Sequence, residues 1–265
     1  MSQAAFQHSG ELDSRFPPSM FGRLDEASQI RPRLDEDDLL ETTDEFGTSF
    51  KVKVTRGPGC RERANSLMRR RYVWRGYATG PLNHERAGRI TFSAYAGDVT
   101  LGTITAALDA QKGLFVERLY PEEVRKLRSQ GRKLCEFTEL AIDETFQTRS
   151  VLGSIFHVAA LFVMDINRCT DVLVEVNPRH SRFYQRMLGF TQFAELRLDK
   201  QVEAPAVLLR LDLQHCVQEM ARLGGRRSSV PGTRSFYPYL LAPLQAESAL
   251  SRLRNHRSVA RCSVA

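Results

Sequence analysis

Metal-binding and disulfide patterns are missing from this 265-residue sequence. Its five cysteines are odd in number and widely spaced, and it contains neither a Cys-x-x-Cys nor a His-x-x-x-His pair. A structural zinc site is therefore not expected, and we predict a protein that needs no metal. Residues 1–10 lack the basic and then apolar pattern of a secretion signal, so we expect a reducing, cytoplasmic location.

Long apolar runs are also missing. The longest, Val158 to Met164, has seven residues, whereas a helix that crosses a bilayer needs roughly 20. Since 42% of the residues are hydrophobic and 26% are charged, the composition is that of an ordinary globular protein. We expect no membrane-spanning helix.

Lysine is scarce, because arginine supplies 32 of the 38 basic residues behind the net charge of +7. The charge is uneven along the chain: residues 1–48 carry −7, residues 49–213 carry +8 and residues 214–265 carry +6. The first and last segments show little apolar periodicity. We therefore predict a disordered acidic leader over 1–48, a folded domain over 49–213 and a basic, mostly flexible extension over 214–265.

Strand and helix patterns alternate within the predicted domain. Strands are predicted at residues 50–55, 89–95, 99–108, 133–142, 171–176, 191–198 and 206–213, and helices at 61–75, 121–129, 155–166 and 178–188. Asn177 and Pro178 are suited to begin the last helix, and Gly189 to end it. This order predicts an α/β (α+β) protein built on a mixed sheet.

The segment after the 171–176 strand resembles a known superfamily. Asn177-Pro178, Phe183-Tyr184 and Leu188-Gly189-Phe190 occur in the order typical of the GNAT acyltransferases. The segments Asn177–Tyr184, Cys135–Ile142 and Ala204–Leu209 most resemble the long-chain N-acyl amino acid synthases, which are relatives of the acyl-homoserine lactone synthases. The resemblance covers residues 50–213 and implies the GNAT-type fold, a central mixed, mostly antiparallel sheet flanked by helices.

The resemblance also implies a reaction, in which an amine attacks an acyl thioester and an amide and a thiol form. The implied donor is acyl-phosphopantetheine on an acidic acyl carrier protein, which suits the basic domain, or acyl-CoA. The implied acceptor is an amino acid, and no tightly bound cofactor is expected. Such a site needs a base for the amine, donors for the oxyanion and an acid for the thiolate.

Glu136 is the candidate base, because the resembling families place a functional carboxylate at this point of the central strand. The alternative is a structural carboxylate paired with an arginine. Glu139, three residues later, faces the opposite side of a regular strand, and only a bulge brings both into one pocket. Acyl-homoserine lactone synthases often show Glu-x-x-Arg here, so Glu-x-x-Glu argues against that product.

Tyr184 is the candidate acid, since it matches the superfamily's tyrosine near the leaving sulfur, although a core-packing role explains it equally well. Asn177 either only caps its helix or also contacts the pantetheine arm. Arg149 and Gly153 are candidates for the donor's phosphate, although their loop is one residue out of register with the pyrophosphate loop of acetyl-CoA enzymes.

An apolar groove for the acyl chain is predicted along the long helix, lined by Phe156, Phe162 and Val163. Any buried helix has the same pattern. Arg71 or Arg70 is a candidate for holding the substrate carboxylate, and both also fit an exposed helix flank.

Two other readings remain open. One is an acyl-CoA-dependent transferase that acts on another amine. The other is a non-catalytic acyl-binding or nucleic-acid-associated protein, which the absence of a DNA-binding motif and of aromatics on a basic face disfavours.

Overall fold

The computed structural model describes residues 37–72, 88–110, 113–146, 148–200, 203–226 and 234–262. Within them, the strands are β1 (Asp38–Thr43), β2 (Ser49–Val54), β3 (Arg89–Ala96), β4 (Val99–Leu108), β5 (Leu134–Ile142), β6 (Asp171–Val176), β7 (Thr191–Gln192), β8 (Arg197–Asp199) and β9 (Ala204–Asp212). The α-helices are α1 (Gly57–Tyr72), α2 (Pro121–Ser129), α3 (Arg149–Leu161), α4 (Pro178–Leu188), α5 (Leu213–Leu223) and α6 (Pro243–Cys262). A π-helical turn, Phe162–Ile166, continues α3.

The strands form one mixed sheet in the order β1-β2-β3-β4-β5-β6-β9-β7, and β8 pairs with β9. Among the described strands only β5 and β6 are parallel, and every other pair is antiparallel. This confirms the predicted mixed, mostly antiparallel sheet flanked by helices.

Helix α4 forms as its sequence predicts. The side chain of Asn177 accepts a hydrogen bond of 3.2 Å from the amide of Arg179, and Pro178 occupies the first helical position. Gly189 ends the helix with a φ of 79°, a conformation that glycine adopts without a steric penalty. The helix therefore begins and ends at signals that lie within its own sequence.

Three predicted elements differ from the structure by more than two residues. Helix α3 begins at Arg149, six residues before the predicted start at 155, so Arg149 and Gly153 lie in a helix and not in the predicted loop. Helix α1 begins at Gly57, four residues before the predicted start at 61. The predicted 191–198 strand is two short strands, β7 and β8. The amides of Phe193 and Ala194 both donate to the carbonyl of Leu208, so the regular hydrogen-bond ladder with β9 is interrupted between β7 and β8.

The predicted leader and extension need correction at their inner ends. Strand β1 lies within residues 1–48, pairs with β2 and buries Leu39 and Leu40. Helices α5 and α6 lie within residues 214–265, apart from Leu213, and α6 buries Ala249 and Leu253. These apolar side chains belong to the core, so β1 is ordered within the predicted disordered leader, and α5 and α6 pack within the extension that was predicted to be mostly flexible. Residues 1–36 lie outside the described residues.

The sheet has helices on both faces. Cys135 and Phe137 pack in the same apolar core as α3, whereas Leu134 packs with α2 on the other face. Helix α1 contacts Ala141. By length and composition Arg149–Ile166 is apolar enough to span a membrane, but 72% of this stretch is buried in the protein, as in an ordinary core helix.

Candidate active site

A gap opens in the sheet where β5 and β6 separate. The two strands are paired at Leu134–Asp171, Cys135–Val172 and Glu136–Leu173, and not beyond. Strand β6 stays paired with β9 up to Val176, and β5 stays paired with β4 up to Ile142. The facing edges of β5 and β6 thus diverge just after Glu136. Beyond this point their backbone N–H and C=O groups no longer pair with each other and can bind a ligand.

A β-bulge lies on the β5 side of this gap. Thr105 pairs with Thr138 and Thr103 with Ala141, so Glu139 and Leu140 together oppose one residue of β4. Glu139 has a φ of 55°, which a side chain other than glycine rarely adopts.

Hydroxyl groups hold the bulge. The Thr103 hydroxyl donates to the Glu139 carbonyl over 3.2 Å, and the Tyr72 hydroxyl donates to the Leu140 carbonyl over 2.8 Å. Such a bulge is required if Glu136 and Glu139 are to lie in one pocket.

Glu136 is buried, with 1% of its surface exposed, at the last pair of β5 with β6. Its Oε2 accepts hydrogen bonds from the amides of Phe115 (2.7 Å) and Val116 (3.4 Å). The pKa of Glu136 is raised to about 7, mainly by burial and in part by the nearby carboxylate of Glu175, while the two amides and Arg89 oppose the shift. A carboxyl group with this pKa can take up and release a proton near neutral pH.

Arg89 links Glu136 to Glu139. The register places Arg89, Ala107 and Glu136 side by side across β3, β4 and β5, and therefore on one face of the sheet. The guanidinium of Arg89 donates to Oε1 of Glu139 over 2.7 Å, and its charge acts on Glu136. Because the bulge re-aims Glu139, both predicted glutamates lie near one arginine.

Glu175 is a site residue that sequence reasoning missed. It follows Leu173, the partner of Glu136, by two positions on β6, and so shares its face of the sheet. The pKa of Glu175 is raised to about 7, mainly by burial and in part by Asp199, while Arg118 opposes the shift. Its Oε2 is buried and has no hydrogen-bond partner among the described residues. A charged residue within the otherwise apolar Val172–Val176 was the available signal.

Tyr184 is buried on α4, where its ring packs edge-on against Phe183 and Phe190. Burial raises the pKa of its phenol far above the usual value, and Tyr72, whose hydroxyl contacts the bulge, adds to the shift. Among the described residues its hydroxyl has no hydrogen-bond partner. Tyr184 therefore packs in the core and also carries a phenol that stays protonated at physiological pH.

Other predicted site residues serve as packing or capping groups in the structure. Asn177 caps α4. The ring of Phe156 lies 6.2 Å from that of Phe137, and the ring of Phe162 lies 5.8 Å from that of Phe92, so both are core contacts. Val163 is fully buried. Roles of these residues in acyl or pantetheine binding stay predictions.

Arg71 and Arg70 pair with acidic side chains that follow β5. Arg71 forms an ion pair with Glu144, and Arg70 forms one of 3.3 Å with Asp143. These contacts fit the helix-flank interpretation, and a role in holding the substrate carboxylate stays a prediction.

Arg149 and Gly153 contact two distant parts of the chain. The amide of Arg149 donates to the carboxylate of Glu45 over 2.7 Å, and its guanidinium donates to the hydroxyl of Tyr239 over 3.2 Å. A side chain at Gly153 would meet the carbonyl oxygen of Tyr239 at 2.6 Å. Both residues thus have partners within the chain at the place predicted for a phosphate. Within the described ranges, no cluster of His, Cys, Asp or Glu is arranged to hold a metal ion.

Comparisons with known proteins show which family the chain resembles in sequence and fold. The family described as N-acyl amino acid synthase FeeM matches residues 63–212, more than half of the chain. The structure of FeeM, an N-acyl amino acid synthase from uncultured soil microbes, is 27% identical with a TM-score of 0.57, and the match covers 62% of this chain and 91% of FeeM. No curated protein sequence matches.

Other solved structures are similar at lower identity. The acyl-homoserine lactone synthase LasI is 13% identical with a TM-score of 0.47, and the match covers 63% of this chain and 91% of LasI. Arabidopsis thaliana NAA60, solved with acetyl-CoA, is 15% identical with a TM-score of 0.47, and the match covers 62% of this chain and 99% of NAA60.

Proposed function

Because the chain belongs to the FeeM family of N-acyl amino acid synthases and is an N-acyltransferase, we propose that it transfers a long-chain fatty acyl group from an acyl carrier protein to the amino group of an amino acid. The observation that carries the proposal is Glu136, a buried carboxyl with a pKa of about 7 where β5 and β6 separate. The product is an N-acyl amino acid and the carrier leaves as a free thiol.

Glu136 takes the first step. The amino acid arrives as an ammonium, which must lose a proton before its nitrogen can attack, and Glu136 accepts that proton. Arg89 keeps enough of the Glu136 population ionised for this role, because its positive charge favours the carboxylate. A new C–N bond then forms at the thioester carbonyl.

The backbone and Tyr184 serve the later steps. Amides along the unpaired edge of β5 are suited to stabilise the negative charge on the carbonyl oxygen. As the C–S bond breaks, the departing thiolate needs a proton, which the buried phenol of Tyr184 donates. The second proton lost by the nitrogen restores the phenol, and Glu136 releases the first proton to solvent before the next turnover, so that one amide, one thiol and one proton result.

The donor is proposed from charge. Arg182 and Arg186 are exposed on α4, the helix of Tyr184, and neither is within ion-pair distance of a described carboxylate. An acidic carrier protein is attracted to such a surface. The expected location is the cytoplasm, and Cys60, Cys135, Cys169 and Cys216 are free thiols, which fits a reducing compartment.

The experiment incubates the purified protein with palmitoyl-loaded acyl carrier protein and each of the twenty amino acids, and detects amides by mass spectrometry. We expect one or a few N-acyl amino acids, formed faster from the carrier than from palmitoyl-CoA. The Glu136→Gln variant is the matched inactive control. If no amino acid gives product while a control synthase does, the proposal is wrong.

A further inference from the structure

The first turn of α3 is filled by a carboxylate of this chain. Glu45, in the turn between β1 and β2, accepts hydrogen bonds from the amides of Arg149 (2.7 Å) and Ser150 (3.1 Å). The next amide, of Val151, donates to the hydroxyl of Thr148. The first three amides of the helix, which would otherwise point at a ligand, thus all have acceptors.

The turn that carries Glu45 is itself held in place. The Asp44 carboxylate accepts hydrogen bonds from the amides of Phe46 (2.8 Å) and Thr48 (2.9 Å). Burial disfavours the ionised form of Glu45, but hydrogen bonds from Ser150 and Arg149 outweigh it and lower the pKa of this carboxyl below its ordinary value. Glu45 is therefore an anion at physiological pH.

A second segment, around Tyr239, also contacts the start of α3. The guanidinium of Arg149 donates to the hydroxyl of Tyr239 and lies over its ring, and the backbone of Tyr239 packs against Gly153. Both Glu45 and Tyr239 lie outside residues 63–212, the part that matches the family. Elements from the two ends of the chain converge on one turn of α3.

The start of a helix attracts anions, because its free amides and the helix dipole both favour negative charge. A phosphate can use this position only if it displaces Glu45 or binds beside an ionised carboxylate. A second anion within a few ångströms of the first is repelled, most strongly where both are partly shielded from water.

We propose that Glu45 is a specificity-determining residue, which keeps the diphosphate of CoA-linked donors away from the start of α3. A carrier-bound donor has a single phosphate and so carries less negative charge for Glu45 to repel, which favours that donor over CoA. The selection of donor rests on the proposed function, whereas the exclusion of CoA does not.

The test measures binding and needs no turnover. Calorimetry of the full chain with CoA compares the unaltered protein with the Glu45→Ala and Glu45→Gln variants. The matched control is Glu41→Ala, which removes a carboxylate of β1 that bonds to Ser49 and does not contact α3. Pantetheine, which has no phosphate, is titrated in parallel.

We expect the Kd for CoA to fall at least tenfold in both Glu45 variants and to stay unchanged in Glu41→Ala. The Kd for pantetheine should stay unchanged in all four proteins. CoA binding by the unaltered protein as tight as by the Glu45 variants would overturn the proposal, as would an equal gain in the Glu41 control. No acyl transfer is measured in this test. The binding results can therefore be interpreted even if the proposed acyl transfer to an amino acid is not observed.

Discussion

Arg89 donates a hydrogen bond of 2.7 Å to Glu139, although the two residues lie 50 positions apart and Glu139 belongs to a strand not paired with that of Arg89. In the register of the sheet, Ala107 of β4 lies between Arg89 and Glu136. Arg89 therefore acts on Glu136 and Glu139 together. Glu139 holds the guanidinium of Arg89 by this hydrogen bond, and Glu136 is the group with a pKa near neutrality.

Glu136→Gln should lower kcat by about a hundredfold or more, because a general base typically contributes that much to the rate. Glutamine keeps an acceptor for the amides of Phe115 and Val116, so the fold should persist. The rate of the unaltered enzyme should rise with pH through about 7, as Glu136 ionises, and this limb should vanish in the variant. Glu122→Gln, an exposed change on α2, is the control. Activity that survives in Glu136→Gln would contradict the assignment.

Arg89→Gln should move the acid limb of the pH–rate profile to higher pH. Arg89 lowers the pKa of Glu136, so its removal raises that pKa above 7 and leaves less ionised base at neutral pH. The rate lost at pH 7 should return at alkaline pH. Arg69→Gln, at an exposed position of α1, should leave the profile unchanged. A uniform loss at every pH would show that Arg89 acts only through the fold.

Tyr184→Phe should lower kcat by about a hundredfold if the phenol protonates the thiolate. Its hydroxyl has no described hydrogen-bond partner, so the melting temperature should hardly change. Tyr120→Phe is the contrasting variant, because the Tyr120 hydroxyl donates to the carbonyl of Ala206 over 2.8 Å. That change should cost about 1 kcal/mol of stability. Full activity in Tyr184→Phe would leave Tyr184 with a packing role alone.

Local signals in the sequence predict local structure well. Helix α4 was predicted completely, since Asn177 and Gly189 lie at its own ends. Strands β3 and β4 were predicted almost to the residue, at 89–95 and 99–108. The position of Glu136 was identified from a resemblance, but its pKa depends on Phe115 and Val116, which approach only in the folded chain.

Features that depend on distant partners could not be predicted in the same way. The bulge at Glu139 follows from the register of β4 against β5, which no single segment encodes. Strand β1 was assigned to a disordered leader because two buried leucines, Leu39 and Leu40, stand among acidic residues. The contact of Glu45 with α3 joins residues more than a hundred positions apart.

Gly153→Ala should destabilise the protein, whereas most glycine-to-alanine changes within helices stabilise. The new methyl group would lie 2.6 Å from the carbonyl oxygen of Tyr239, so the C-terminal segment has to shift. Such overpacking costs about 1 to 3 kcal/mol, which exceeds or offsets the roughly 1 kcal/mol gained in helix propensity. At Gly59, where an added methyl meets only Arg63 at 3.9 Å, the same change should stabilise.

Thermal unfolding of the two variants, with hydrogen exchange at the amide of Leu241, checks this prediction. Leu241 donates to His157 on α3, so its amide should exchange faster once the segment shifts. A rise in melting temperature for Gly153→Ala would mean that Tyr239 adjusts without cost.

His157 should make the protein less stable in acid. Its Nδ1 accepts a hydrogen bond of 2.9 Å from the amide of Leu241, and burial lowers its pKa to about 4 from an ordinary value of 6.5. Between these values the unfolded chain binds a proton that the folded protein excludes, so stability falls as the pH drops below 6.5. The loss approaches an order of 3 kcal/mol near pH 4.

The His157→Asn variant isolates this contribution. Asparagine places an acceptor near the position of Nδ1 but does not titrate, so the amide of Leu241 keeps a partner. The free energy of unfolding, measured with urea at several pH values between 4.5 and 7, should decline less steeply in the variant. The stability difference between the two proteins should therefore shrink, or change sign, as the pH falls. Parallel curves would show that His157 already carries a proton in the folded protein or loses its burial before unfolding.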